Sequence, residues 1–186
     1  MLDQKEIYRY SRQILLPEIG LKGQEKLKAA RVLVVGAGGL GTPVLMYLSG
    51  AGIGTVGIAE FDKVDISNLQ RQFLYGTAES GARKIDLAAE HILKLNPSVV
   101  VNRHDQYLNK ENIRAILQNY DLVIDGSDNL PTRYLVNDAC VLDDLPLVYG
   151  AIYKYEGQAG FFNLPLTHGS RSSNYRDLFP MPPPPE

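Results

Sequence analysis

Thiols and runs of positive charge are scarce in this chain of 186 residues. Cys140 is the single cysteine, which excludes an internal disulfide framework and a cysteine-based structural zinc site within these residues. No tract of lysine and arginine occurs and the net charge is −2 at pH 7. The charge pattern therefore indicates neither nucleic acid nor an anionic membrane as a partner. The first residues are charged and polar, unlike a secretory signal peptide, so we expect a cytoplasmic protein.

Charge is also absent over one long stretch, from Val32 to Ala59. This run is long enough to cross a bilayer, but it contains eight glycines and Pro43. A strand, a glycine turn, a buried helix and a second strand explain the run better than one spanning helix. The composition, 45% hydrophobic and 22% charged, is that of an ordinary globular protein and excludes disorder, collagen and coiled coil.

Strand and helix patterns alternate along the chain, which predicts an α/β fold with a mainly parallel sheet and helices on both faces. We predict short helices over residues 3–11 and 24–29, followed by an unbroken apolar strand over 32–35. The later elements are predicted as follows: helices 40–51, 82–95, 110–119 and 132–142; strands 55–59, 99–102, 122–124 and 147–149; and a further strand over 157–164. The proline-rich end, 180–186, favours an extended segment.

A glycine-rich turn, Gly36-Ala-Gly-Gly-Leu-Gly41, directly follows the first strand and precedes a helix. In a Rossmann-like fold Gly36 permits the tight turn, Gly38 lets the backbone approach phosphate, and Gly41 lets helix and sheet pack closely. Glu60 ends the next strand, where such folds carry an acid for the ribose hydroxyls. The spacing predicts a nucleotide site; a glycine-rich packing turn without a ligand is the alternative. A P-loop is excluded because Thr42 stands where its lysine would follow Gly41.

The residues after Glu60 are too polar and cationic for a simple dinucleotide site. Asp62, Asp65, Ser67, Asn68 and Arg71 follow within twelve positions, and Lys84 begins the next predicted helix. Cations beside a nucleotide suggest a polyphosphate to be held, for which the planar arginine fork is suited. For either cation alone a solvated surface is the better interpretation. Together they disfavour an NAD-dependent oxidoreductase, which has no need for them.

Five segments together resemble one family, the ThiF/MoeB/HesA branch of the ubiquitin-activating enzyme superfamily, over nearly the whole chain. The resemblance implies adenylation, with ATP and Mg²⁺, of the C-terminal glycine of a ubiquitin-like sulfur carrier protein that ends in Gly-Gly. It also implies a homodimer with two composite sites. The segments are Tyr10-Ser-Arg-Gln13, Gly36–Gly41, Ser67-Asn-Leu-Gln-Arg-Gln72, Gly81-Ala-Arg-Lys84 and Asp125-Gly-Ser-Asp-Asn129.

The family pattern also assigns roles to single residues. It implies that Asp128 holds magnesium and supports the reaction, and that Arg12 reaches the ATP of the partner subunit. The nucleotide-binding set that we expect is Gly36, Gly38, Gly39, Gly41, Glu60, Asp62, Ser67, Asn68, Arg71, Lys84, Asp128 and Asn129, with Arg12, Arg71, Lys84 and Asp128 as the catalytic residues. We expect an N-terminal helical segment over 1–30, an ATP-binding Rossmann-like domain over 31–165, and a loop and proline-rich region over 166–186.

The chain departs from the family pattern in three places. Glu60 stands where the family usually has aspartate, for which we expect a small adjustment. Asn174-Tyr-Arg-Asp177 replaces a Cys-x-x-Cys half-site, so no structural zinc is expected. The family continues beyond the proline tract, and we expect its C-terminal part, with the transfer cysteine, outside these residues. Cys140 is predicted to be a buried core thiol. These departures leave a degenerate, non-catalytic carrier-binding module as the alternative function.

Overall fold

The computed structural model describes residues 1–182 and contains one six-stranded sheet. Its strands are β1 (Arg31–Val35), β2 (Thr55–Ala59), β3 (Val100–His104), β4 (Leu122–Asp125), β5 (Leu147–Tyr153) and β6 (Glu156–Phe162). They lie in the order β3-β2-β1-β4-β5-β6. The first five are parallel, and β6 is antiparallel to β5. The order reverses direction at β1, as in doubly wound nucleotide-binding folds.

Eight α-helices flank or precede the sheet in the described part of the chain. They are α1 (Gln4–Arg9), α2 (Ser11–Ile14), α3 (Gly20–Ala29), α4 (Gly41–Ala51), α5 (Lys84–Leu95), α6 (Ile113–Leu117), α7 (Leu130–Leu142) and α8 (Tyr175–Leu178). Short 3-10 turns occupy Ile66–Asn68, Thr77–Glu79 and Thr167–Gly169. Within residues 1–182 no helix combines the length and apolar character needed to span a membrane.

The core has two halves, one on each face of the sheet. Successive residues of a strand point to opposite faces, so Leu33 and Val35 of β1 pack with α6 and α7, whereas Val32 and Val34 pack with α4 and α5. Every one of these four side chains is buried, which explains why β1 is apolar without alternation. The predicted α/β fold with helices on both faces is confirmed. Cys140 is buried in the first half, as predicted.

Three predicted elements differ from the structure. The helix expected over 110–119 is limited to α6, because the side chains of Asn109 and Asn112 bond to each other's backbone N–H groups and hold the preceding residues in a turn. The further strand predicted over 157–164 is confirmed as β6, but β5, predicted over 147–149, extends to Tyr153 to pair with it. The region after residue 166, expected to be a loop, contains α8. The predicted extended segment at 180–186 lies mostly outside the described residues.

Helix α8 is attached to α7 by polar contacts and aromatic packing. Arg176 donates two hydrogen bonds of 2.6 Å to the Asp138 carboxylate, and the buried amide of Asn137 accepts the Tyr175 N–H at 2.8 Å. Around Tyr175 the rings of four residues lie within about 6 Å, namely Tyr134, Tyr149, Phe162 and Phe179. The pair that replaces the family's half-site caps this helix: Asn174 accepts the Arg176 N–H at 2.9 Å, and Asp177 accepts the Asn174 N–H at 2.8 Å.

Candidate functional site

A cleft of about 380 Å³ opens at the carboxyl ends of β1 and β4. These strands are neighbours in the sheet, but the chain leaves them toward opposite edges, so the loops that follow diverge and leave a crevice. The loops after β1, β2, β3 and β4 all contribute lining residues. Ligands of doubly wound folds bind at this position, which makes the cleft the candidate site.

The glycine turn forms the floor of the cleft and leads directly into α4. Gly36 has a φ of +88°, which a residue with a side chain rarely adopts. A Cβ on Gly41 would lie 1.8 Å from the Gly36 carbonyl oxygen, so only glycine fits there. At Gly39 the nearest atom to an added Cβ is the Arg71 Cγ, at 3.5 Å. The N-terminal end of α4 thus meets an open, backbone-lined surface, which suits an anion.

Two distant side chains hold the centre of this turn. Glu60 accepts the Ala37 N–H at 2.8 Å, and Tyr75 donates its hydroxyl hydrogen to the Ala37 carbonyl oxygen at 2.9 Å. The second Glu60 oxygen accepts the N–H groups of Phe61 and Asp62 at 2.8 and 2.9 Å. Burial raises the pKa of Tyr75, which keeps its hydroxyl a donor. The sequence predicted that Glu60 binds a ribose, but it did not predict the hydrogen bond by which Glu60 positions the glycine turn.

Two cations stand beside the glycine turn. Arg71 is exposed and forms no ion pair within the described chain. Lys84 begins α5, is only 3% exposed, and holds its ammonium 3.3 Å from the Asp62 carboxylate. The Lys84 N–H also bonds to the Asp62 carbonyl oxygen at 3.0 Å, which fixes the start of α5 against the loop after β2. The cleft therefore has an exposed guanidinium next to the glycine turn and a buried ammonium paired with Asp62.

The segment from residue 67 to residue 72 folds over the same turn. Asn68 accepts a hydrogen bond of 2.9 Å from the Gln72 side chain, and the other Gln72 atom, Oε1, is buried without a partner in the described chain. Ser67 does not line the cleft: its Oγ and its N–H both donate to the Asp65 carboxylate, at 2.6 and 2.8 Å, and Asp65 thereby caps the 3-10 turn. Some polar residues of this segment thus line the cleft, and others form the turn that precedes them.

Asp128 and Asn129 lie on the opposite wall, after β4. Asp128 is exposed and lines the cleft. Asn129 caps α7, and its Oδ1 accepts the Thr132 N–H at 2.9 Å. Within residues 1–182 no cluster of three or more His, Cys, Asp or Glu side chains is arranged to hold a metal, so Asp128 stands as a single carboxylate facing the glycine turn.

The cleft brings together most of the predicted site residues, namely Gly36, Gly38, Gly39, Glu60, Asp62, Asn68, Arg71, Lys84, Asp128 and Asn129. Three predicted residues do not line it: Ser67, Gly41 and Arg12, which is exposed on α2. Sequence reasoning missed two groups of lining residues. The first is an exposed aromatic pair, Phe61 and Tyr107, whose ring centroids lie 5.3 Å apart. The second is the far wall, formed by Ser127, Arg133 and Ile152.

Fold and site together define a doubly wound α/β protein with a glycine-turn cleft at its switch point. The model of the ThiF family matches residues 10–186. The chain belongs to the ThiF family.

Curated relatives match almost all of this chain. It is 54% identical over 182 residues to the sulfur carrier protein adenylyltransferase of Thermus thermophilus, covering 98% of this chain and 67% of the relative. It is 50% identical over 184 residues to the probable adenylyltransferase/sulfurtransferase MoeZ of Mycobacterium tuberculosis, covering 99% of this chain and 47% of MoeZ. The chain thus spans two thirds of one relative and about half of the other.

Solved structures share the fold at lower identity. Escherichia coli tRNA N6-threonylcarbamoyladenosine dehydratase, TcdA, solved in complex with ATP, matches 83% of this chain and 65% of its own with a TM-score of 0.76 and 25% identity. E. coli MccB with MccA-N7isoASN matches 90% of this chain and 50% of its own, with a TM-score of 0.78 and 26% identity. The similarity is thus spread over the described fold.

Proposed function

We propose that this protein adenylates the C-terminal carboxylate of a ubiquitin-like sulfur carrier protein with ATP. The observation that carries the proposal is the arrangement of one cleft, in which Arg71 and Lys84 flank the glycine turn and Asp128 faces it across the switch point. Such cations suit a polyphosphate leaving group and have no use in hydride transfer. The names of the Thermus and Mycobacterium relatives support the same activity.

We propose one orientation of ATP in the cleft. Its phosphates would lie over Gly36–Gly39 at the start of α4, where backbone N–H groups and the helix dipole favour anions. The exposed rings of Phe61 and Tyr107, beyond the ribose position at Glu60, offer a surface on which the purine would stack. Asn68, Arg71 and Lys84 would contact the triphosphate, and Lys84 would exchange its bond to Asp62 for one to a phosphate oxygen.

Asp128 is suited to the Mg²⁺ that accompanies ATP. It is an exposed carboxylate on the cleft wall, and Mg²⁺ is usually bound through one or two carboxylates together with phosphate oxygens and waters. When bound, the ion neutralises charge on the phosphates. Asn129, whose side chain already caps α7, would orient Asp128 through the fixed start of that helix.

The reaction needs no oxidant and no covalent enzyme intermediate. A carboxylate oxygen of the carrier attacks the α-phosphorus of ATP, a new P–O bond forms, and the bond to the β-phosphate breaks to release pyrophosphate. Carboxylate and phosphate repel each other, so the rate depends on the neutralising charges of Arg71, Lys84 and the metal at Asp128. The product is the carrier's acyl-adenylate, which a sulfur nucleophile can attack in a later step.

Arg12 belongs to this proposal as a residue acting in trans. It is exposed on α2 and does not line the cleft of its own chain, so a twofold partner is the simplest way to bring its guanidinium to ATP. The proposed active unit is therefore a homodimer, in the cytoplasm.

Pyrophosphate exchange tests the proposal. The purified protein should exchange labelled pyrophosphate into ATP only when a ubiquitin-fold sulfur carrier with a free Gly-Gly terminus is added. A carrier lacking the last glycine is the control. NADH binding in the same concentration range as ATP, or exchange that does not depend on any carrier, would contradict adenylation.

A further inference from the structure

One wall of the cleft is polar but has no role in the nucleotide assignment above. It lies beyond Asp128, on the β4–β5 side of the switch point, and is formed by Ser127, Arg133 and Ile152. The glycine turn, the aromatic pair and both phosphate-side cations lie on the β1–β2 side. This wall of the cleft therefore carries a positive charge of its own, on Arg133.

Arg133 is a cation held in position without an acidic partner. Its guanidinium carbon lies 5.0 Å from the centroid of the Tyr149 ring, and Nη2 donates to the Ser127 carbonyl oxygen at 3.2 Å. Within the described chain it forms no ion pair, and its Nε is buried without a hydrogen-bond partner. An arginine fork whose donors are not all used by the protein suits a planar anion.

The surroundings of Arg133 also favour an anion. Ser127 is 8% exposed and its Oγ has no partner in the described chain, so the same wall holds a second unused hydrogen-bonding group. Arg133 lies in the first turns of α7, a helix of 13 residues whose N-terminal end faces the cleft. Asp125 is 1% exposed and forms no ion pair with Arg133 in the described chain; burial raises the pKa of its carboxyl more than the nearby Arg133 lowers it, which reduces its competition for the guanidinium.

We propose that Arg133, with Ser127 beside it, binds the C-terminal carboxylate of the carrier protein and holds it for attack on the α-phosphorus. This inference rests on the proposed adenylation and names the group that positions its second substrate. Ile152 supplies an apolar wall where the carrier's terminal segment would lie. Phosphate recognition is left to Arg71 and Lys84 across the cleft, so Arg133 acts on the carrier and not on ATP.

The test compares a carrier with a free C-terminal carboxylate and the same carrier with a C-terminal amide, which removes the charge and keeps the size. Binding of both, and exchange kinetics with the free acid, are measured for wild type, Arg133→Met and Arg133→Lys. Methionine keeps an apolar contact with Tyr149 and removes the charge; lysine keeps the charge and removes the fork. Arg31→Met is the matched control, because Arg31 pairs with Asp121 at the opposite end of β1.

We expect Arg133→Met to raise the KM for the carrier about 10- to 100-fold while the KM for ATP stays within about twofold, as loss of a hydrogen bond to a charged group predicts. The preference of wild type for the free acid over the amide should disappear in Arg133→Met and shrink in Arg133→Lys. Arg31→Met should match wild type in every measurement.

Three results would overturn the inference: an unchanged carrier KM in Arg133→Met, an equal rise in the KM for ATP, or an undiminished preference for the free acid. If Arg133→Met does not fold, Arg133→Lys decides, and a preference for the free acid as strong as that of wild type in this variant rejects the assignment. If wild type shows no carrier-dependent exchange, both the proposed adenylation and this inference are rejected. Exchange that is normal in wild type and in Arg133→Met would remove only the inference.

Discussion

The carboxylate of Glu60 and the backbone N–H of Ala37 are joined by a buried hydrogen bond of 2.8 Å. It links the end of β2 to the centre of the glycine turn after β1. Since the same carboxylate also accepts two N–H groups of its own loop, one side chain fixes the relative position of two loops that line the cleft.

Glu60→Gln should destabilise the protein by about 1–3 kcal/mol, because an amide N–H₂ would replace one acceptor oxygen and leave a buried N–H unpaired. Urea unfolding measures the change. Glu90→Gln, on the exposed surface of α5 beside Lys94, is the control and should change stability by less than about 0.5 kcal/mol. Equal stability of the two variants would contradict the positioning role of Glu60.

Gly41→Ala should destabilise the fold by about 3 kcal/mol or more, since its Cβ would overlap the Gly36 carbonyl oxygen and backbone must move. Gly39→Ala is the matched control, because its Cβ would meet Arg71 at an ordinary contact distance of 3.5 Å. We expect the free energy of unfolding of the control to lie within about 1 kcal/mol of the wild-type value in the same thermal or urea experiment. If the two variants are equally stable, the turn is not packed as described.

Gly39→Asp should weaken ATP binding about tenfold or more, because a carboxylate placed beside the phosphates costs roughly 1–4 kcal/mol in like-charge repulsion. Calorimetric titration with ATP measures the effect, and Gly39→Ala separates the steric part from the charge. A Gly39→Asp protein that binds ATP as wild type does would mean that the phosphates lie elsewhere.

Asp128→Asn should abolish exchange while leaving the unfolding curve unchanged, because the exposed carboxylate that we propose to bind Mg²⁺ is replaced by a side chain of the same volume. Arg12→Ala should also be inactive. When the two inactive chains are mixed, a heterodimer regains one intact site if Arg12 acts across the twofold axis, giving up to about half of wild-type activity per heterodimer. No recovery from verified heterodimers would assign Arg12 to its own chain or outside the mechanism.

We expect the stability of the protein to depend on pH through His104. Burial lowers its pKa from the ordinary 6.5, and its Nε2 lies 2.6 Å from the Tyr120 hydroxyl oxygen. The folded state thus binds a proton at His104 less readily than the unfolded chain does. The contribution of this histidine to the free energy of unfolding is therefore complete above pH 6.5 and is lost as the pH drops through the lowered pKa. His104→Gln should flatten this fall between pH 7 and pH 5, and His168→Asn, in an exposed turn, should not. An unchanged slope in His104→Gln would contradict the prediction.

Local sequence patterns were enough to predict a mainly parallel sheet, the alternation of strands and helices along the chain, and the glycine turn. The run from Val32 to Val35 is apolar at every position because both faces of β1 are covered, and this signal depends only on neighbouring residues. The family pattern predicted one nucleotide site for Arg71, Lys84 and Asp128; these residues line one cleft, and their roles there stay predictions.

Contacts between residues far apart in the chain could not be predicted. Ala37 and Tyr75 are separated by 38 positions, and nothing local marks a buried tyrosine as a partner of the glycine turn. Arg133 and Tyr149 meet only because α7 crosses back over β4 and β5. The antiparallel direction of β6 likewise depends on the tight turn after Tyr153 and not on its own composition.

The attachment of α8 to α7 has a consequence for the conditions that the protein tolerates. Its contacts are a guanidinium–carboxylate pair, amide hydrogen bonds and phenol rings packed edge to face, and none of them uses a thiolate or a metal ion. Chelators and mild oxidants, which dismantle a cysteine-bound clasp, have no chemical target among these contacts. High salt would weaken only the ion pair, so the segment that leads toward residue 182 should keep its place through changes of redox state and metal supply.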